Sequence, residues 1–344
     1  MHSAILVHPR FDSAWPLAAD HAHRLWSAQG AVEFVRLAPG DTRSVGEILS
    51  NPASVTRLLV FGVPFGEACL DALPKLREAV IQTGDYGILG RGNSPLEDAC
   101  KARGVRLIFH SSEGFWGQSV SEFGLALTLC GLRRIPQTHH EILTSHAAWD
   151  YSPPNGVGQA GARGHQFGDD DNFTCGTVEG KRIRIVGAGN IASRYASFVH
   201  FLGADVAAWD PFASEPCFHR AGSRRELHLD TLVQDAEIFA PLVPLTEKTR
   251  GLITAAHIDA LPKGCLVVLV TRADICDVPA LRRRVLADEL ALAADVFDVE
   301  PLPLDDPLLG RHNVVHTPHN AGRTRHSNER YAEARLTQFE PTVR

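Results

Sequence analysis

Several hallmarks of membrane, secreted and nucleic-acid-binding proteins are missing from this sequence of 344 residues. No stretch approaches the roughly 18 consecutive apolar residues of a membrane span. The segment after Met1 lacks the basic region and apolar run of a secretion signal. The 40 acidic residues outnumber the 34 basic ones, which are scattered, so no positive stripe is available for a phosphate backbone. We therefore expect a cytoplasmic protein without a nucleic-acid or membrane partner.

Cysteines and histidines do not form the usual metal-binding or disulfide patterns either. The seven cysteines include no CxxC pair, and an odd number in a chain of this size is typical of reduced, packed thiols. His139, His140 and His146 lack the HExxH spacing that places two imidazoles on one face of a helix. The acidic triplet at residues 169–171 is more typical of a solvated loop than of a cation site. We expect no metal.

Short apolar runs alternate with segments of helical spacing, which is the pattern of an α/β protein. Residues 4–7 and 58–61 predict strands of a first α/β unit. A long helical pattern over residues 120–143, broken or kinked near Pro136, would link this unit to a second one. The stretch at about 151–172 is rich in Gly, Pro, Asn and Asp, and it predicts an exposed arm.

In the second unit, an apolar strand at residues 181–186 runs into a glycine-rich turn and then a helical pattern. Gly187 would make the tight turn, and Gly189 would let the backbone approach a pyrophosphate. The start of the helix would offer unpaired N–H groups to the phosphate. The turn is the GxGxxA variant of the dinucleotide fingerprint, in the order Gly187, Ala188, Gly189, Asn190, Ile191, Ala192.

A carboxylate follows this turn at the spacing expected for a ribose contact. The next predicted strand, residues 205–209, ends at Asp210, which lies 21 residues after Gly189. A glycine-rich strand end and a turn-forming Asp210-Pro211 pair are the plain structural alternatives. The strand, turn, helix and acid together favour a dinucleotide site. Asp210 would repel a 2′-phosphate and no basic residue directly follows it, so NAD is favoured over NADP.

Three later strands run into polar residues. Arg272 follows residues 266–270, Glu300 follows residues 290–294, and His319 follows residues 314–316. Ligands of open parallel sheets lie at the carboxyl ends of the strands. There a guanidinium can bind a carboxylate and polarise a carbonyl, an imidazole can exchange a proton, and a carboxylate can orient that imidazole. A surface ion pair, a charged turn residue and a packed histidine are the alternatives for each residue alone.

Several segments resemble the D-2-hydroxyacid dehydrogenases in order and approximate spacing, across about residues 80 to 340. The resemblance implies two Rossmann-like doubly wound parallel-sheet domains. A cofactor domain (residues 116–318) would be inserted into a flavodoxin-like substrate domain (residues 1–115 and 319–344). The matching segments are residues 186–192, 244–253, 271–272, 295–297 with 300–301, and 317–322.

The resemblance also implies roles for particular residues. His319 would exchange the proton of the substrate oxygen, Glu300 would partner it, and Arg272 would bind the substrate carboxylate. Asp295 would correspond to the acid on the nicotinamide side of the cofactor. Further expected contacts are Pro244, Thr249 and Thr271 with the cofactor, and Arg91 and Gly92, in an anion-binding loop, with the substrate.

The expected activity is reversible hydride transfer between NAD(H) and a small 2-oxo acid or D-2-hydroxy acid. The crossover helix and the arm would form a homodimer contact, as is usual in the family. One alternative is oxidation of another small anion, such as phosphite or a phosphonate-bearing acid. The other is a non-catalytic NAD(H)-sensing protein similar to the family's transcriptional corepressors.

Overall fold

The protein divides into two compact units. The computed structural model describes residues 2–82, 95–109, 115–146, 149–151, 164–165 and 169–341. The first unit comprises Met1–Phe115 and Arg323–Arg344, and the second comprises Trp116–Gly322, so the second is inserted into the first. The chain returns to the first unit at residue 323, whereas the sequence prediction placed the return at 319.

The first unit contains a parallel sheet whose central strands are buried. Every residue of β1 (Ser3–Val7) and β3 (Arg57–Phe61) is buried, as expected for a parallel sheet with both faces covered. Among the described residues the strand order is β2-β1-β3-β4-β5, which is the flavodoxin-like order. The other strands are β2 (Val32–Arg36), β4 (Glu78–Gln82) and β5 (Arg106–Leu107), and the helices are α1 (Pro9–Ala14), α2 (Ala18–Ser27), α3 (Val45–Ile48), α4 (Glu67–Asp71), α5 (Pro95–Ala102) and α13 (Arg325–Leu336).

The second unit contains a larger parallel sheet whose described strands follow the order β10-β9-β8-β11-β12-β13-β14. The first of these strands along the chain is β8. If β8 is counted as strand 1, the order is 3-2-1-4-5-6-7, which is the Rossmann order with one further strand. The order reverses between β8 and β11, so their carboxyl ends border the crevice where such sheets bind ligands. The predicted fold class is confirmed. The strands are β8 (Arg182–Val186), β9 (Asp205–Trp209), β10 (Arg224–Arg225), β11 (Ile238–Pro241), β12 (Leu266–Leu269), β13 (Ala291–Ala294) and β14 (Val314–His316).

Helices cover both faces of this second sheet. Alternate residues of β8 point to opposite faces, with Ile183 and Ile185 in the apolar cluster on one side and Val186 in the cluster on the other. The helices are α6 (Gly117–Arg133), α7 (Ile135–Ile142), α8 (Asn190–Phe201), α9 (Glu215–Arg220), α10 (Leu229–Val233), α11 (Ala255–Ala260) and α12 (Val278–Leu286). The first of these packs against α8, β12 and β13.

The long helical pattern at residues 120–143 forms two helices. The break falls at Arg134, whose backbone is left-handed (φ 50°). Pro136 lies in the first turn of α7, where its missing N–H costs no helical hydrogen bond. In the predicted arm, β6 (Asp150–Tyr151) pairs antiparallel with β7 (Gly164–His165). Residues 152–163 and 166–168 of the arm lie outside the described residues.

Candidate active site

The glycine turn after β8 has the geometry that the fingerprint predicts. Gly187 has φ +110°, and a Cβ there would lie 3.1 Å from Val243 Cγ1 and 3.2 Å from the Leu242 carbonyl oxygen, so another residue would be strained and crowded at this position. Gly189 caps the amino end of α8, and a Cβ there would meet no heavy atom of the described residues within 4 Å. Asn190 and Ile191 begin α8, whose first N–H groups have no acceptor within the helix. The turn therefore leaves open space before a helix start that attracts anions.

Asp210 is held directly beside this turn. Its Oδ2 accepts the Ala188 N–H (2.8 Å), and its Oδ1 accepts the N–H groups of Phe212 (2.9 Å) and Ala213 (3.1 Å). A carboxylate oxygen has two acceptor positions, and hydrogen bonds from the described residues occupy one of the two on Oδ2. The contact with Ala188 was not predicted, because the sequence spacing indicates only proximity. The open helix start and this fixed carboxylate fit a bound dinucleotide.

An ion-pair cluster around one buried arginine anchors the strand that carries the turn. Arg184 in β8 is 2% exposed, and its guanidinium donates to both carboxylate oxygens of Asp235 (2.7 and 2.6 Å) and to Asp205 Oδ2 (3.0 Å). The hydrogen bond from Arg184 lowers the pKa of Asp235 below its ordinary value. The cluster joins β8, β9 and the turn before β11. Sequence analysis missed it, because an arginine in an apolar strand does not reveal its partners.

Glu300 and His319 form a hydrogen-bonded pair. Oε2 of Glu300 lies 2.6 Å from Nδ1 of His319, while Oε1 accepts the N–H of Phe297 (2.9 Å). An ionised carboxylate only accepts hydrogen bonds, so Nδ1 donates in this pair, and Nε2 has no hydrogen-bond partner among the described residues. The two side chains are 35% and 31% exposed, so they are accessible to a small molecule.

Arg272 follows β12, the strand beside β13 in the sheet. Its Nη1 donates to the Thr271 carbonyl oxygen (2.6 Å), and the Thr271 hydroxyl donates to the Pro241 carbonyl oxygen of β11 (3.2 Å). Within the part of the chain that the structure describes, no hydrogen bond or ion pair joins Arg272 to Glu300 or His319. The structure thus brings the acid and the histidine into contact and places the arginine at the end of a strand in the same sheet.

Asp295 follows β13 and is completely buried. Its Oδ1 accepts the Thr317 hydroxyl (2.7 Å) and the Asn320 N–H (3.0 Å), and its Oδ2 accepts the Ala321 N–H (2.8 Å). Sequence analysis placed Asp295 on the nicotinamide side of the cofactor and did not predict these bonds. They connect it to the segment that carries His319.

Of the remaining predicted contacts, Pro244 and Thr249 lie in a described turn, whereas two others lie in a segment outside the described residues. Thr249 donates its hydroxyl to the Pro244 carbonyl oxygen (2.5 Å) and accepts the Thr246 N–H (2.8 Å), which closes the turn after β11. Arg91 and Gly92 lie outside the described residues.

Two cysteine thiols lie deep in the second unit. Burial raises the pKa of Cys276 to about 12 and also raises the pKa of Cys265, so both remain protonated and unreactive at neutral pH. A search of the described residues finds no group of three or more His, Cys, Asp or Glu side chains able to hold a metal ion. None of the described helices has the length and apolar character needed to cross a membrane.

Comparisons with known proteins agree on one family. Residues 155–321 match the model of the D-isomer specific 2-hydroxyacid dehydrogenase NAD-binding domain. The chain is 28% identical over 309 residues to glyoxylate/hydroxypyruvate reductase B of Citrobacter koseri, covering 90% of this chain and 86% of the relative. It is 29% identical over 257 residues to D-3-phosphoglycerate dehydrogenase of Archaeoglobus fulgidus, covering 73% of this chain but only 44% of the relative.

The fold also matches solved structures. A phosphoglycerate oxidoreductase from Rhizobium etli superposes with a TM-score of 0.72 at 19% identity, covering 97% of this chain and 92% of that one. At 19% identity this superposition shows the fold alone. The fold agrees with the family comparisons. Residues 155–321 therefore belong to the NAD-binding domain of the D-isomer specific 2-hydroxyacid dehydrogenase family, and the chain is an NAD-dependent oxidoreductase.

Proposed function

We propose that this protein interconverts a small 2-oxo acid and its D-2-hydroxy acid with NAD(H), using His319 to exchange the proton of the substrate oxygen. The observation that carries the proposal is the 2.6 Å contact between Nδ1 of His319 and Oε2 of Glu300. This pair follows strands of the sheet whose first strand leads into the Gly187 turn. A proton-transfer pair and a dinucleotide turn on one sheet are what hydride transfer to a carbonyl requires.

The residues that would hold the cofactor follow from the geometry of the turn. The start of α8, from Gly189 to Ile191, would face the pyrophosphate, and the free acceptor position of Asp210 would take a ribose hydroxyl. When bound, NADH supplies the hydride. The other proposed cofactor contacts are Pro244, Thr249, Thr271 and Asp295.

His319 would transfer the proton, and Arg272 would bind the substrate. In the reducing direction, Nε2 of His319 donates a proton to the carbonyl oxygen, and in the oxidising direction it takes that proton back. Glu300 holds the imidazole through Nδ1 and stabilises its positive charge. The guanidinium of Arg272 has five N–H donors and uses one on the Thr271 carbonyl, so others remain to grip the substrate carboxylate. Arg91 and Gly92 belong to the same proposal as further substrate contacts.

The first test measures NADH consumption with a panel of 2-oxo acids that begins with glyoxylate and hydroxypyruvate. We expect turnover with at least one acid, and we expect His319→Gln to lower kcat by about 100-fold or more. His257→Gln is the matched control, because Nε2 of His257 also lies near a carboxylate, that of Asp230, at 3.0 Å. This control should keep wild-type kcat.

Two outcomes would contradict the proposal. If wild-type protein binds NADH tightly but consumes it with no acid, a sensing protein is favoured instead. If phosphite or a phosphonate-bearing acid reduces NAD while every 2-oxo acid fails, the substrate class is wrong. Wild-type activity in His319→Gln would remove His319 from the mechanism.

A homodimer and a cytoplasmic location are further parts of the proposal. Ile135, Ile142 and Leu143, on and next to α7, are 48%, 49% and 68% exposed, which is typical of a surface that another chain covers. Light scattering should give twice the mass of the 37.4 kDa chain. Ile142→Asp should shift the protein toward the monomer, and an unchanged mass would argue against a contact there.

A further inference from the structure

The segment that carries His319 is tied to one buried carboxylate. All three described donors to Asp295 come from this segment: the Thr317 hydroxyl precedes His319, and the N–H groups of Asn320 and Ala321 follow it. Asp295 itself is 0% exposed, and its backbone N–H donates to the Leu269 carbonyl oxygen of β12 (2.8 Å). Asp295 is therefore fixed to the sheet, and its carboxylate is hydrogen-bonded to the segment on both sides of the histidine.

The backbone of His319 has an unusual conformation that hydrogen bonds on both sides of it can hold in place. Its φ is 52°, in the left-handed region that residues with a side chain seldom adopt. Pro318 precedes it and disfavours helical conformations of Thr317, which limits the conformations that the segment can adopt around His319. In an unrestrained segment this residue would relax to a negative φ. A change of φ at His319 would alter the position of its imidazole relative to Glu300.

We propose that Asp295 is a positioning residue that holds His319 in its left-handed conformation and so sets the contact between His319 and Glu300. The proposal rests on the proposed function for its kinetic consequence. It gives the buried carboxylate a role that is separate from the expected contact with the nicotinamide. The Thr317 hydroxyl is the part of this arrangement that can be removed without replacing any residue proposed to contact the cofactor or the substrate.

The decisive variant is Thr317→Val, which keeps the shape of the side chain and removes the donor to Asp295. A small displacement of a reacting group has a large effect on rate, so we expect kcat to fall by about 10- to 100-fold. The affinity for NADH should stay at the wild-type value. Thr317→Ser, which restores a hydroxyl, should recover most of the rate. Asp295→Asn should show a larger loss, and Thr317→Val remains informative if that variant does not fold.

Thr128→Val is the matched control for loss of a buried hydroxyl. The Thr128 hydroxyl is completely buried and hydrogen-bonds to the Gly124 carbonyl oxygen and the Tyr195 hydroxyl, both at 2.8 Å. Its removal should lower the melting temperature and leave kcat at the wild-type value. Equal losses of kcat in Thr128→Val and Thr317→Val would mean that general destabilisation, rather than positioning, explains the effect.

A spectroscopic measurement separates this inference from the proposed function. With ¹⁵N-labelled histidine, the Nδ1–H signal that disappears in His319→Gln reports the bond to Glu300. We expect that signal to shift or vanish in Thr317→Val and to persist in Thr317→Ser and Thr128→Val. An unchanged signal with wild-type kcat in Thr317→Val would overturn the inference. Absence of turnover in the wild-type protein would refute the proposed function, while the signal would still decide whether Asp295 positions His319.

Discussion

Replacing Glu300 with glutamine tests whether the charge of the acid, rather than its shape, supports catalysis. The amide oxygen can still accept one of the two present donors, His319 Nδ1 (2.6 Å) or the Phe297 N–H (2.9 Å), so the main loss is the negative charge. In the proposed mechanism, His319 gains a proton when a 2-hydroxy acid is oxidised, and a positive charge develops on the imidazole. Glu300 would stabilise that charge in the wild-type protein, and the glutamine of Glu300→Gln would not.

The size of the effect follows from the type of hydrogen bond. A bond to a charged group contributes about 1.5 to 3 kcal/mol and a neutral one about 0.5 to 1.5 kcal/mol. The difference of about 1 to 1.5 kcal/mol corresponds to a rate that is about 5- to 13-fold lower. The side chain of Glu300 is 35% exposed, so solvent screening places the expected loss toward the lower end.

The assay is the rate of NAD reduction by the D-2-hydroxy acid whose 2-oxo form is turned over, at saturating substrate. Asp230→Asn is the control, because it removes the charge from the His257 pair and should leave kcat unchanged. Wild-type kcat in Glu300→Gln would refute the role of the charge. A loss of NADH affinity equal to the loss of rate would instead assign Glu300 to cofactor binding.

Three further predictions concern the turn and its anchor. Gly187→Ala should lower the free energy of unfolding by about 1 to 3 kcal/mol in chemical denaturation, because its φ of +110° and the Leu242 carbonyl at 3.2 Å leave no strain-free place for a side chain; an unchanged value would contradict this. Gly189→Ala should keep wild-type stability, because its Cβ meets no described atom within 4 Å, yet weaken NADH binding in a fluorescence titration by about 10-fold or about 1.4 kcal/mol; wild-type affinity would argue against a phosphate there. Asp235→Asn should cost about 1 kcal/mol near neutral pH, since its carboxylate is half exposed. Arg184 lowers the pKa of Asp235 in the folded protein, so its stabilisation is present above the unfolded pKa of about 4 and is lost as the pH falls through the native pKa. Denaturation curves of wild-type and Asp235→Asn protein should therefore converge in acid, and a gap that persists there would refute the assignment.

Features that depend on neighbours along the chain were predictable. The turn at Gly187 and Gly189 follows from conformational and steric demands that local sequence satisfies. The pairing of Glu300 with His319, suggested by two strand ends and the resemblance, agrees with their 2.6 Å contact. The short strands β2, β4 and β11 were not singled out, because runs of four or five residues carry little periodic signal.

Features that depend on distant partners were decided by the tertiary structure. Nothing near Asp295 in the sequence indicates that the N–H group of Ala321, 26 residues away, completes its hydrogen bonding. The same holds for Arg184 and Asp235, which are 51 residues apart. A residue type and its neighbours determine which conformations and bonds are possible. Burial in a particular fold determines which donors satisfy a buried carboxylate such as Asp295 and which acceptors satisfy a buried guanidinium such as Arg184.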